Sequence, residues 1–207
     1  MHERDLIPEN EDSRLPRKRG RPTADERAQR RDEILDAAVR LFIRGGFEQV
    51  TLDDIVGEAH VTKRTIYAYF GDRTEIFLAA VERMRERTFG QVAADAGLRE
   101  LAEHIVFMLQ SDEAVGLHRL MIAEAQRFPE LARRFYEEGP RGYIARLEAL
   151  LPDDDPLRAE HLFALLLGEP HRQRLLGVRA APDRATAAVQ ARAAVSALGV
   201  AEADPGA

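Results

Sequence analysis

Four helix starts, each with its own cap, fall within the short stretch from Thr23 to Glu75, and that density leaves room for little but a cluster of short helices. Thr23 follows Pro22 and precedes Glu26 by three residues. In such a capping box the hydroxyl accepts from the N3 amide, and the carboxylate accepts from the N-cap amide. Thr51 with Asp54 repeats the pattern, Thr62 opens a third helix, and Asp72 with Glu75 opens a fourth. Between the caps, apolar residues recur at helical spacing. Ile34, Ala37, Ala38, Leu41 and Phe42 form the inward stripe of the first helix, which Gly45-Gly46 ends. Leu52, Ile55, Val56 and Ala59 do the same on the second, and Ile66 and Phe70 on the third.

Beyond residue 92 the apolar spacing stays helical and strand-like alternation is absent. Helices are expected near 98–110, 113–127, 130–151, 156–177 and 183–198. Pro156 after Asp155 and Pro129 after Phe128 sit at first helical positions. Pro140 and Pro170 fall inside expected helices and should kink or break them. The fold class is therefore all-α: an N-terminal three-helix helix-turn-helix domain over 23–75, then a helical bundle over 76–200. An arm, 1–22, and a tail, 201–207, are expected to be disordered.

Composition narrows the function. A hydrophobic content of 45% supports a packed core, and the absence of cysteine excludes disulfides, thiolate metal sites and a cysteine nucleophile. No signal-peptide core precedes residue 23, and no run approaches the roughly 18 apolar residues of a membrane span. A cytoplasmic protein with no membrane partner is expected. The net charge of −6 is unevenly spread: residues 1–13 carry −4, residues 14–73 carry +3, and the remainder −5. Between Arg14 and Arg31, eight Arg and Lys residues face only Asp25 and Glu26. A basic front on an acidic body suits a protein of which one end alone meets phosphate.

The second and third helices, joined through Ala59, His60 and Val61, make a helix-turn-helix unit. A major groove about 12 Å wide admits one α-helix, and the N-terminal residues of the second helix meet base edges there. Burial of Val61, Ile66 and Phe70 leaves Lys63, Arg64, Thr65 and Tyr67 facing outward. Arg64 is the candidate for a bidentate contact to guanine, and Lys63 for a base or a phosphate. Thr62 caps the helix and offers its hydroxyl to phosphate. Thr51, Tyr67, Tyr69 and Arg73 suit backbone contacts, which set register. Plainer roles compete: packing for Tyr67 and Tyr69, an ion pair with Asp72 or Glu75 for Arg73, and solvated charge for Lys63 and Arg64. His60 stands where a tight turn favours glycine.

The stretch from Arg31 to Phe77 contains ILDAAVRLF, GGFEQVTLDDI and VTKRTIYAYFGDRTEIF, and it resembles the DNA-binding domain of TetR-type repressors. That resemblance implies DNA contacts at Thr51, Thr62, Lys63, Arg64, Thr65, Tyr67, Tyr69 and Arg73. The sequence departs from the family pattern at His60, usually glycine, and at Arg73, usually lysine. Farther on, AEAQRFPELARRFYEEGPRGYIARLEALL and FALLLGEPHRQRLLG are similar to the C-terminal domains of AefR-like repressors. This second likeness implies a helical bundle that dimerises through its last two helices and holds small effectors.

Lys18-Arg19-Gly20-Arg21-Pro22, preceded by Arg17, resembles the core of an AT-hook, an extended arm that enters a narrow A·T-rich minor groove. Nonspecific phosphate contact is the alternative, and both stay open. For an apolar effector pocket the candidates are Met84, Phe107, Met108, Met121, Phe128 and Phe163, each also an ordinary core residue. Glu124 either orients a ligand or forms a solvated pair with Arg127, and the pair is favoured. No metalloprotease, phosphate-loop or dinucleotide motif is present, and the six histidines are scattered, so neither catalysis nor a metal or other cofactor is expected. The resulting reading is a dimeric, effector-controlled regulator binding a pseudo-palindromic operator in double-stranded DNA. Its dimer contact would use 156–177 and 183–198, with Ala185, Ala188, Ala191, Ala194 and Ala197 allowing close approach. The rivals are an architectural protein acting through the arm, and a helical enzyme with a vestigial helix-turn-helix.

Overall fold

The computed structural model describes residues 23–93, 96–151 and 155–199, and every regular element among them is a helix. In chain order these are α1 (Ala24–Gly45), α2 (Leu52–Ala59), α3 (Lys63–Tyr69), α4 (Arg73–Gly90), α5 (Leu98–Leu109), α6 (Asp112–Glu124), α7 (Pro129–Glu138), α8 (Pro140–Glu148), α9 (Pro156–Leu175) and α10 (Arg184–Ala197). The basic arm with Arg17, Lys18, Arg19 and Arg21, and the tail 201–207, lie outside the described residues.

The four expected caps are formed. Thr23 N–H donates to Glu26 Oε2 at 2.8 Å, and Glu26 N–H donates to Thr23 Oγ1 at 3.1 Å. Thr51 and Asp54 exchange the same two bonds at 2.8 and 3.2 Å. Thr62 Oγ1 accepts from Thr65 N–H at 3.1 Å, and Asp72 Oδ1 from Glu75 N–H at 2.9 Å. Each satisfies an amide that the first helical turn leaves without a carbonyl.

Two apolar cores organise the chain. The first joins α1 to α4 with residues of α6 and α7, so it crosses the expected domain boundary at residue 75. Its centre is a group of rings: Phe42, Phe47 and Phe77 lie 5.5–5.9 Å apart, and Phe128 meets Phe47 edge-on at 5.2 Å. Leu35 and Val39, outside the expected stripe of α1, are also buried because α6 covers a second side of that helix. The other core gathers α5, α8, α9 and α10.

The prolines set the remaining geometry. The segment expected over 130–151 is broken at Pro140, as a proline inside it requires: Gly139, with φ −101° and ψ −94°, separates α7 from α8, and Pro140 opens α8 at a position needing no amide donor. Pro170 disturbs α9 two residues upstream, where Gly168 takes φ 48° and ψ −152°. Proline has no N–H for the carbonyl four residues back, that of Leu166. Gln190 Nε2 of α10 donates to that oxygen at 2.7 Å instead.

Phe77 is fully buried at the heart of the first core. Phe77→Ala is expected to lower unfolding free energy by about 3–5 kcal/mol, through lost transfer energy and a residual cavity. The urea midpoint would move accordingly while far-ultraviolet circular dichroism keeps its helical shape.

Candidate nucleic-acid interface and ligand cavity

The turn between α2 and α3 is built on His60. Its backbone lies at φ 52° and ψ 45°, the one left-handed non-glycine conformation among the described residues. His60 N–H donates to Gly57 O at 3.4 Å and Val61 N–H to Val56 O at 3.2 Å, the paired bonds of a Schellman motif. A side chain in that conformation costs roughly 1–2 kcal/mol, which explains why glycine is the usual occupant.

The turn presents α3 with its outer face bare. Ile66 is fully buried, whereas Lys63, Arg64 and Tyr67 are exposed, Tyr67 to 59%. Lys63 Nζ lies 2.8 Å from Asp53 Oδ1 of α2, and this carboxylate raises the lysine pKa. Both groups are in solvent, where such a pair is weak and readily exchanged for a phosphate. Arg64 has no partner among the described residues. Thr62 Oγ1 lies 2.9 Å from Thr65 Oγ1, and Thr65 is half-buried. Thr51 is exposed, with its hydroxyl donating to Asp54 at 2.7 Å. Tyr69 is half-buried, its ring 6.1 Å from that of Phe70.

Arg73 departs from the outward group. Its Nη1 donates to Glu48 O at 2.8 Å and Val50 O at 3.0 Å, and its guanidinium lies 4.6 Å over the ring of Phe47. It ties the start of α4 to the chain between α1 and α2, and it pairs with neither Asp72 nor Glu75. A guanidinium suits this position because its flat face lies over the Phe47 ring while one of its nitrogens donates to both carbonyls.

Where the two cores meet they leave a cavity of about 370 Å³, bounded by α4 to α9. Met84, Met121 and Phe163 are among the residues that line it, together with Val81, Leu117, Phe135, Tyr136 and Tyr143. Four other candidates do not. Phe107 packs with the second core under the guanidinium of Arg184, 4.5 Å away, and Met108 is absent from the cavity wall. Phe128 belongs to the aromatic group around Phe47. Glu124 lies against Gly46, and Arg127 pairs with Glu48 rather than with Glu124.

Sequence reasoning also missed the histidines. His118 and His171 stand 53 residues apart on α6 and α9, yet His118 Nδ1 lies 3.0 Å from His171 Nε2, and both rings line the cavity. Burial lowers the pKa of His118. Burial first, then His118 and Arg174, brings His171 down to about 4. Both are neutral at physiological pH. Burial likewise holds the Tyr143 phenol up at about 12. No spacing rule could pair two histidines so far apart in the chain, because the approach depends on how α6 and α9 pack.

Between cavity and α1 stands Arg83, 3% exposed. Its Nη1 donates to Asp32 O at 2.9 Å, and Nη2 lies 2.7 Å from Asp36 Oδ1 and 3.6 Å from Glu113 Oε1. One side chain of α4 thereby joins α1 to α6. The neighbouring residues Val81 and Met84 of the same helix face the cavity.

The family described as bacterial regulatory proteins, tetR family, matches residues 34–80, and the AefR-like transcriptional repressor C-terminal domain matches residues 96–199. The transcriptional regulator BetI of Agrobacterium fabrum is 34% identical over 170 residues, covering 74% of this chain and 82% of BetI. The chain belongs to the TetR family. Among solved structures, a TetR-family regulator from Mesorhizobium loti superposes with a TM-score of 0.64 at 27% identity, over 83% of this chain and 96% of that one. The flavonoid-responsive regulator FrrA gives 0.60 at 28% identity, over 83% and 95%. TetR proteins are DNA-binding transcriptional regulators rather than enzymes.

The left-handed turn makes a direct test. His60→Gly is expected to keep the fold and raise stability by up to about 1 kcal/mol, whereas His60→Val, branched at Cβ, should lose about 1–2 kcal/mol. Thermal unfolding of both variants measures this; equal melting of valine and glycine variants would contradict the turn geometry.

Proposed function

We propose that this TetR-family protein is a repressor that grips a pseudo-palindromic operator as a homodimer and releases it when a small, largely apolar effector fills the cavity. The observation that carries this reading is the double duty of α4. Val81 and Met84 face the cavity, while Ile76, Phe77 and Leu78 belong to the core that seats α1 to α3. A ligand that displaces the cavity wall of α4 therefore acts on the helix that supports the DNA-reading head. Arg83 transmits the same displacement to Asp32 and Asp36 of α1.

For the dimer contact, α9 presents Leu157, His161, Ala164 and Leu165 outward, at i, i+4, i+7 and i+8 on one helical face. Val189 of α10 is 60% exposed on the adjoining surface. The alanines of α10 divide between two faces. Ala191 and Ala194 pack inward on the second core, Ala185 and Ala197 are exposed, and Ala188 is half-buried. A pair of subunits joined by these outer faces would deliver two α3 helices to successive major grooves, about 34–36 Å apart on one side of a duplex. In that seat Arg64 reads a guanine, and Lys63, Thr62, Thr65, Tyr67, Tyr69 and Thr51 hold phosphate or bases nearby. The basic arm adds contacts that follow salt concentration.

The effector acts by binding the released form more tightly than the operator-bound form, since equal affinity for both would change nothing. Several matching relatives are named as repressors or negative regulators, which supports repression over activation. FrrA is named as flavonoid-responsive, which supports control by a small molecule. Among the described residues no helix is long and apolar enough to cross a membrane, in keeping with action on cytoplasmic DNA.

Footprinting on the DNA flanking the gene tests this reading. A discrete protected palindrome is expected, and uniform coverage would favour an architectural role. Arg64→Ala should weaken operator binding by about 1–3 kcal/mol and relax preference at one base pair of each half-site. Unchanged base preference would remove Arg64 from the reading face.

A further inference from the structure

The cavity wall contains no Asp, Glu, Lys or Arg side chain; Arg174 and Arg85 act electrostatically on His171 and Tyr143 without lining it, so a charged ligand entering would lose its hydration with no direct ion pair in return. Aromatic residues supply much of the surface: Tyr143 and Phe163 stack 6.2 Å apart with planes 13° from parallel, and Phe135 and Tyr136 complete the side formed by α7. Into this apolar setting project two imidazoles that are bonded to one another.

A neutral imidazole has one N–H and one bare nitrogen. If His118 Nδ1 donates to His171 Nε2, the free nitrogens are a bare Nε2 on His118 and a protonated Nδ1 on His171. If the bond runs the other way, the free nitrogens exchange roles. Either way the pair keeps one donor and one acceptor for a third party, and a concerted tautomer switch interchanges them. His171 is 7% exposed, and its Nδ1 is buried with no hydrogen-bond partner among the described residues. A buried polar nitrogen without a partner is destabilising, and a ligand that satisfies it relieves that cost.

We propose that the His118–His171 pair anchors the hydroxyl of a neutral aromatic alcohol or phenol, whose ring lies against Phe135, Tyr143 and Phe163. A hydroxyl both donates and accepts, so it suits the pair in either tautomeric arrangement. A carboxylate brings a charge that no lining side chain pairs with directly, and a bare hydrocarbon leaves the buried nitrogen unsatisfied. The proposal rests on the cavity being the effector site, and it names the chemistry that site selects.

Equilibrium dialysis of the full-length protein at neutral pH against three matched probes tests it: 2-naphthol, naphthalene and 2-naphthoate. The naphthol is expected to bind at least tenfold more tightly than either of the others. In His171→Phe its advantage over naphthalene should shrink to within threefold while naphthalene binding persists. In imidazole ¹⁵N spectra of the wild type, the naphthol should shift the His171 Nδ1 resonance and naphthalene should leave it in place. If naphthalene or naphthoate binds as tightly as the naphthol, the histidine anchor is wrong and the cavity stands. If none of the three binds, the effector-site reading falls and the anchor with it. Should His171→Phe fail to fold, the wild-type series and the less buried His118→Leu carry the decision.

Discussion

A guanidinium taken out of water needs opposite charge beside it, and at Arg83 the carboxylates of Asp36 and Glu113 tie α1 and α6 to α4. Its Nε and Nη2 make no hydrogen bond among the described residues. Arg83 is held by the carbonyl of Asp32, the carboxylate of Asp36 and, more distantly, that of Glu113. Moving α1 or α6 away from α4 would strand a buried charge, which proteins tolerate poorly. The carboxylates themselves are about half exposed, so water softens the penalty and leaves the arrangement capable of change. Two further ion pairs span the same junction. Arg134 of α7 grips Glu75 at the start of α4 through both oxygens, at 2.6 and 3.2 Å, and Arg127 pairs with Glu48. The head is thus fastened by a few directional contacts around a shared apolar core.

The cavity is a consequence of how the cores are divided. Helices α5, α8, α9 and α10 bury one set of apolar residues, and α1 to α4 with α6 and α7 bury another. At the seam between them, side chains from both sets face one space without filling it. The proline-directed breaks bear on that seam. Pro140 separates α7 from α8, and both Gly139 and Pro140 line the cavity. The turn at Gly168 and Pro170 redirects α9 just before His171 reaches His118. Gln190 closes the carbonyl that Pro170 leaves open, so the bend is satisfied internally.

Local chemistry made the head legible and left the body less so. Thr23, Thr51, Thr62 and Asp72 announce their helices because a cap is decided within three residues. Ile66 inward with Lys63, Arg64 and Tyr67 outward follows from helical periodicity alone. The anchorage of Arg73 was not legible because its partners, the carbonyls of Glu48 and Val50, are some twenty-five residues away and belong to the backbone, which sequence does not differentiate. In the body, Met84, Met121 and Phe163 were recognisable as cavity candidates, but so by the same criterion were Phe107, Met108 and Phe128. Residue type cannot say which apolar side chain faces a seam and which faces a filled core. The histidine pair needed the packing of α6 on α9, whereas the break at Pro140 and the kink at Pro170 were legible from proline alone.

Because the chain has no cysteine, a single one introduced by Ala68→Cys on the exposed side of α3 gives one spin label per subunit. Double electron–electron resonance on the dimer would then report the spacing of the two α3 helices. If Arg83 fixes the head, the unaltered background gives a narrow distance distribution, and adding Arg83→Met broadens or displaces it at unchanged helix content. Identical distributions in the two proteins would contradict the role assigned to that buried charge.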